Sequence, residues 1–387
     1  MQENSVILHL QRRGLLSLVD FCHVTCAAER NSMKTHEKNY TISCPDLMRI
    51  GDDISRILFF DIETTGFSGA WANVYLIGCI YPETEENWHM VQFFADSPDA
   101  ESDMLQAFHS LLLSRPRLVH FNGDRFDIPF LQKRCEILGI PDIFAGIESC
   151  DILKLVRPFK KLLHLPDLKQ KSIETFLGIG REDRFSGGEL IPVYQKWLKS
   201  PSDHLLAPLL LHNEEDLLGM PRLLPILRYP DFLNGSFRFR SEESDGASVT
   251  LTWSSATSLP VPVSFDTAPG ELTASGCGLA LSLPLFSGEL RRFYPDYRDY
   301  YYLPGEDCAI HKSVGEFIDK SARKKATAKT CYTRASGIYL PEPAEVFPMT
   351  LRREYGAKEI FTPYRKGMFS EKDYAERFLQ ELLKTVR

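Results

Sequence analysis

The stretch Arg56-Ile-Leu-Phe-Phe-Asp-Ile-Glu63 constrains this 387-residue chain more than any other. Its apolar run reads as a strand buried in a sheet, yet the strand ends in two acids. Side chains alternate along a strand, so Asp61 and Glu63 share a face. Two carboxylates beside apolar neighbours are costly unless a cation or hydrogen-bond donors satisfy them. A strand-end turn with solvated acids is the other arrangement these residues allow.

The surrounding pattern is that of an α/β domain. VYLIGCIY (74–81) and WHMVQFFA (88–95) read as two further strands, separated by the turn-like PETEEN. Residues 99–114 place Met104, Leu105, Phe108, Leu111 and Leu112 at helical spacing, with acids in the first turn. RLVHFN (117–122) is a fourth strand, followed by a helix over Ile128–Leu138 with Pro129 in its first turn. A fifth strand is expected near Glu148–Leu153. Helices are expected around Leu168–Leu177, Leu190–Leu198 and Asp203–Leu227. This order predicts a mixed five-stranded sheet flanked by helices, its first three strands an antiparallel meander. Residues 51–230 would form that domain, and 1–50 an extension with one short helix near Gly14–Cys26. Residues 231–387 would form a C-terminal region, β-rich up to 305 and then mixed, with helices near Ser313–Ala326 and Ser370–Val386.

Two later segments also carry acids in suggestive places. His120-Phe-Asn122-Gly-Asp124-Arg-Phe-Asp127 follows a buried strand and leads into a helix. Asp127 sits where that helix begins, so capping is one role for it, and Asp124 competes with it as the useful acid. In His212-Asn-Glu-Glu-Asp216, His212 and Asp216 are four apart and lie on one helix face, while Glu214 and Glu215 point elsewhere and read as solvated. The order D-x-E, N-x-x-x-F-D, H-x-x-x-D brings four carboxylates from three elements. Such a set would hold two divalent cations about 3.5–4 Å apart, an arrangement suited to phosphoryl displacement. Oxygen ligands favour Mg²⁺ or Mn²⁺ over zinc.

With FFDIETTGFSG, HFNGDRFDIPFL and HNEEDL in this order, segment 56–230 resembles the RNase H-like 3′–5′ exonucleases of the DEDD group, and within it the bacterial YprB-like branch. The resemblance implies an RNase H-like sheet and metal ligands at Asp61, Glu63, Asp127 and Asp216. It implies that Asp127 works largely through water and that Asn122 supports its loop. Thr64, Thr65 and Gly66 would lie beside the terminal nucleotide. His212 would orient or deprotonate the attacking water, although its four-residue spacing before the acid is that of the tyrosine subgroup. The substrate implied is a single-stranded 3′ end of DNA or RNA, and the product a nucleoside 5′-monophosphate. A catalytically weak module that binds nucleic acid or a repair complex is the competing function, and an endonuclease on the same fold is a third.

Composition agrees once it is divided by region. The formal net charge of -7 excludes a non-specific nucleic-acid coat, but Lys320–Arg334 holds cations and no acid, near Tyr294, Tyr297, Tyr300, Tyr301 and Tyr302. Arg323, Lys324 and Lys325 could therefore track a single strand. Arg181 and Arg184 are further candidates for a phosphate. Nine cysteines without a CxxC spacing read as reduced thiols, and Cys22-His23-Cys26 lacks a second pair to complete a zinc site. The absence of a long apolar run or leader pattern predicts a cytoplasmic protein with no membrane contact.

Overall fold

The structure is a computed structural model that describes residues 33–160, 162–371 and 373–386. The helix expected near Gly14–Cys26 and the Cys22-His23-Cys26 group lie outside the described residues. The first sheet contains β1 (Met33–Thr41), β2 (Ile57–Thr64), β3 (Val74–Pro82), β4 (Asn87–Ala95), β5 (Arg117–His120) and β6 (Glu148–Asp151). Their order is β1-β4-β3-β2-β5-β6, so the sheet has six strands rather than the expected five. β1 to β4 pair antiparallel with β2 at the inner end, and β2, β5 and β6 run parallel.

The extra strand lies in the segment read as an extension. Its sequence, MKTHEKNYT, is polar, and most of it is exposed. A sheet edge protected by lysines and other polar side chains has no apolar alternation to betray it.

Both faces of the sheet are covered, which explains the unbroken apolar run of β2. Leu58, Phe60 and Ile62 face α1 (Glu101–Ser114) and α2 (Asp127–Leu138), while Ile57 and Phe59 face the opposite layer. Downstream lie α3 (Ile152–Val156), α4 (Gln170–Phe176), α5 (Gly187–Lys199), α6 (Asp203–Leu223) and α7 (Arg228–Asn234). α6 packs across β2 and β3 on the face of Phe59 and Asp61. That crossing decides where the third acidic motif lands.

Gly78 of β3 makes the crossing close. It pairs with Asp61 in register, and a Cβ there would run into the carboxamide of Asn213 on α6. Gly78→Ala is therefore expected to destabilise the fold by about 1–3 kcal/mol, the usual cost of overpacking. A urea unfolding curve would check it; an unchanged midpoint would show that α6 can retreat freely.

The C-terminal region builds an antiparallel sheet from β7 (Phe237–Ser244), β8 (Ser248–Ser255), β9 (Val263–Asp266), β10 (Glu271–Ser275) and β11 (Gly278–Pro284), in the order β7-β8-β11-β10-β9. Val249, Leu251 and Trp253 point inward at period two, as do Leu279, Leu281 and Leu283. Two small sheets follow. One contains β12 (Phe286–Phe293), the other β13 (Tyr300–Leu303), β14 (Cys308–His311) and, after the single turn α8 (Lys312–Gly315), β15 (Lys324–Lys325). β16 (Tyr332–Glu342) and β17 (Ile360–Pro363) complete the sheet of β12. The helix expected over Ser313–Ala326 is thus only α8, and its later residues enter a strand. Lys324 and Lys325 instead pair with Tyr302 and Tyr301 of β13, which takes the segment out of a helix. The last helix, α9 (Tyr374–Val386), buries Ala375, Phe378, Leu379, Leu382 and Leu383 at helical spacing. They join one apolar cluster with the C-terminal sheet and the helices behind the first sheet.

Candidate active site

The strand end of β2, the start of α2 and the middle of α6 meet at one open cavity of about 310 Å³. Asp61, Glu63, Asp127, His212 and Asp216 all line it, with Thr64, Gly66, Phe67, Phe121, Asn122 and Phe126 around them. Asp61 and Glu63 share the β2 face as alternation requires. Asp127 opens α2, and Asn122 just before it takes a left-handed backbone, φ 67°. Asp151 at the end of β6 accepts a hydrogen bond from the Asn122 backbone N–H at 2.9 Å and so secures that turn.

Asp124 does not join the cavity's acids. It pairs with Lys154 and accepts a hydrogen bond from Ser149, near His120. Asp127 is the acid of that segment that reaches the site. Thr65 also turns away: its hydroxyl accepts from the Asn73 backbone N–H at 2.9 Å and closes the loop after β2. Thr64 bonds the Gly66 carbonyl at 2.7 Å. Arg323, Lys324 and Lys325 sit with β13 and β15 and are not among the cavity residues. Lys324 and Lys325 are exposed, whereas Arg323 lies over the Tyr301 ring at 4.4 Å and bonds the Gly315 carbonyl.

The acids are held close with few cations to offset them. Burial, then the charges of Asp216, Asp127 and Glu63, push Asp61 well above the usual carboxylate range, against the hydrogen bond from Asn213. Glu63 is pushed well above its ordinary value by burial, then by Asp216, Asp127 and Asp183. Burial lifts Asp127 to about 7, although backbone N–H groups of Asp127 and Ile62 favour its charged form. Carboxylates arranged at such cost are ready to take up cations. The donor chemistry also fits divalent metal: ligand atoms of the carboxylates Glu63 and Asp216 lie within 4.8 Å of one another, with His212 beside them. His212 Nε2 is 3.6 Å from Glu63 Oε1 and 3.6 Å from Asp216 Oδ2.

Several supporting residues had no signal in the motifs. Asn213, fully buried, donates from Nδ2 to Asp61 Oδ2 at 3.0 Å and accepts at Oδ1 from Gln92 at 2.9 Å. Arg181 is not free for a phosphate: it bonds Glu174 and also Asp216 Oδ1, the latter at 2.6 Å. Arg184 is exposed. Glu214 and Glu215 are not simply solvated. Glu214 pairs with Lys38 and Tyr40 of β1, and Glu215 accepts from the backbone N–H groups of Glu182 and Asp183, each at 2.8 Å. Asp183 bonds His212. These contacts join residues far apart in sequence, so no local spacing announces them.

Residues 58–228 match the family described as RNase_H_2, of the RNase_H superfamily. Curated relatives include DNA polymerase 1 of Aeropyrum pernix, 39% identical over 67 residues, which are 17% of this chain and 7% of that polymerase. A DNA polymerase of Desulfurococcus sp. (strain Tok) is 30% identical over 116 residues, 28% of this chain and 15% of its own. The chain thus spans only a small part of the curated relatives it matches. Among solved structures, the family B DNA polymerase of Pyrobaculum calidifontis has a TM-score of 0.36 at 13% identity, covering 63% of this chain and 35% of the polymerase. E. coli Exonuclease I in complex with a dT13 oligonucleotide has a TM-score of 0.28 at 19% identity, covering 42% and 45%. The segment 58–228 is an RNase H superfamily domain.

Proposed function

We propose that this RNase H superfamily domain is a DEDD-type 3′–5′ exonuclease, YprB-like in its motifs, that hydrolyses phosphodiester bonds at a single-stranded end of DNA or RNA. The observation that carries it is the convergence of Asp61, Glu63, Asp127 and Asp216 with His212 on one open cavity. The similarity of part of this chain to DNA polymerases supports nucleic acid as the substrate.

In this mechanism Asp61, Glu63, Asp127 and Asp216 would hold two divalent cations, Mg²⁺ or Mn²⁺. Bound there, such ions neutralise phosphate charge and make a water molecule more acidic. The rest is done by the chain's own groups. Asn213 keeps the Asp61 carboxylate turned to the cavity, and Arg181 does the same for Asp216. His212 presents Nε2 to the attacking water and accepts or orients its proton. Thr64, Gly66 and Asn122 shape the floor beside the terminal nucleotide, and Phe67, Phe121 and Phe126 offer it apolar walls. The exposed Lys324 and Lys325, with Arg323, serve as a second contact for the strand's backbone.

Chromatography of the products from single-stranded DNA and RNA, with Mg²⁺ or Mn²⁺ and with chelator, tests the reaction. Nucleoside 5′-monophosphates released only with metal are expected. Release of 3′-monophosphates, or cleavage indifferent to chelator, would contradict it.

A further inference from the structure

Asp183 lies in the loop between α4 and α5, outside all three acidic motifs, and its side chain is 2% exposed. Its Oδ1 accepts the Phe185 backbone N–H at 3.0 Å. Its Oδ2 meets His212 Nδ1 at 2.6 Å and accepts from Lys171 Nζ at 3.0 Å. An ionised carboxylate only accepts, so the imidazole proton in this pair belongs on Nδ1. In the neutral ring the other nitrogen, Nε2, then carries the lone pair, and it faces Glu63 and Asp216.

The loop is fastened to the helix that it serves. Glu215 of α6 holds the backbone of Glu182 and Asp183, and Arg181 bonds Asp216. The same loop continues into Gly187 and Gly188, which line the cavity. One helix therefore supplies His212, Asp216 and the carboxylate that fixes the loop orienting His212. Burial disfavours a charged Asp183, but hydrogen bonds from the Phe185 N–H, His212 and Lys171 outweigh it and hold the group below its ordinary value.

We propose that Asp183 is a positioning residue for the hydrolysis proposed above: its carboxylate locks His212 in the Nδ1–H tautomer, with Nε2 turned to the attacking water. The inference rests on that hydrolysis for its purpose, but the tautomer can be tested without it. With the opposite tautomer an N–H would point between two carboxylates, and the ring could not accept a proton from water. Asparagine at 183 retains one acceptor oxygen for two demands, the Phe185 N–H and the His212–Lys171 pair. An amide group facing His212 would donate to Nδ1 and enforce that wrong tautomer.

Ring ¹⁵N NMR of the Mg²⁺-loaded protein reads the tautomer directly, and steady-state kinetics on a labelled oligonucleotide read its use. In the wild-type protein His212 should show a protonated Nδ1 and a bare Nε2; a proton on Nε2 instead would overturn the proposal, with no variant needed. Asp183→Asn should lose that signature and lower kcat by on the order of 10²-fold, within the range of general acid–base catalysis, while KM stays close to wild type. Lys171→Met removes the other partner of Asp183 and leaves the carboxylate in place, so kcat should remain near wild type. An equal loss in Lys171→Met would assign Asp183 a merely structural role in the loop. Asp183→Asn should add nothing to His212→Ala, and full additivity would contradict action through His212. A protein with the expected tautomer and no activity on any nucleic acid would sink the hydrolysis and leave the positioning of His212 standing.

Discussion

Asp61→Asn is expected to lower metal-dependent cleavage by more than about 10³-fold, well beyond the roughly 10–100-fold typical of removing an outer-shell partner of a metal ligand. Asp61 is the centre of the acidic group: its own charge is opposed by Asp216, Asp127 and Glu63 together. It is also the acid the fold supports most carefully, through the Gln92–Asn213–Asp61 chain of hydrogen bonds and the missing side chain at Gly78. Asparagine nearly preserves the shape and removes the charge. Calorimetric titration with Mn²⁺ should show at least one binding event lost, while circular dichroism shows a folded protein. The same substitution relieves repulsion in the metal-free site, so unfolding cannot account for the lost activity. Cleavage at a wild-type rate would remove Asp61 from the chemistry.

The metal-free protein should lose stability as pH rises from about 4 to about 7. Asp127 has a folded-state value raised to about 7, against 3.8 ordinarily, and Asp61 and Glu63 are raised as well. Across that window the folded state keeps protons that the unfolded chain has released. The stabilisation is therefore complete below the unfolded value and is lost as pH passes through the folded one. Asp127 alone corresponds to about 4 kcal/mol at 1.36 kcal/mol per pKa unit. Asp46, Asp124 and Asp183 are depressed. Their contributions are present above about pH 4 and fade below it, while His36 and His120, held by burial below their ordinary value, work against the trend as pH approaches that value. Urea midpoints at pH 5 and pH 8 in chelator should differ markedly, the pH 8 value being lower. Saturating Mg²⁺ should shrink the difference, because bound cations replace the protons at the site, while Glu342, raised by burial to about 7 outside it, keeps its share. A midpoint independent of pH in chelator would show that burial and mutual repulsion do not raise these acids as described.

The parts of the fold readable in the sequence are those where one physical demand acts locally. The apolar run Ile57–Phe60 must be buried on both faces, and Asp61 and Glu63 stand out because such a strand has no ordinary use for them. The (i, i+4) spacing of His212 and Asp216 follows from one turn of helix, and α9 is evident from its apolar stripe. The unread parts depend on contacts between distant segments. β1 is polar because it is an edge, so nothing in Met33–Thr41 marks it as a strand. Asn213 looks like any helix-surface amide until Gly78 is placed opposite Asp61. Arg181 reads as a free surface cation because Glu174 and Asp216, its partners, come from two other elements. Ser313–Ala326 read as a helix from its composition, but the pairing of Lys324 and Lys325 with β13 decides its path.

Degradation of a 5′-labelled single strand by the wild-type protein, with Mg²⁺ or Mn²⁺ and with chelator, tests the central claim most directly, resolved by length over time beside Asp61→Ala. The arrangement of Asp61, Glu63, Asp127 and Asp216 predicts a ladder descending from the 3′ end that needs metal and vanishes in the variant. Tight binding of DNA or RNA with no metal-dependent shortening of either would contradict it.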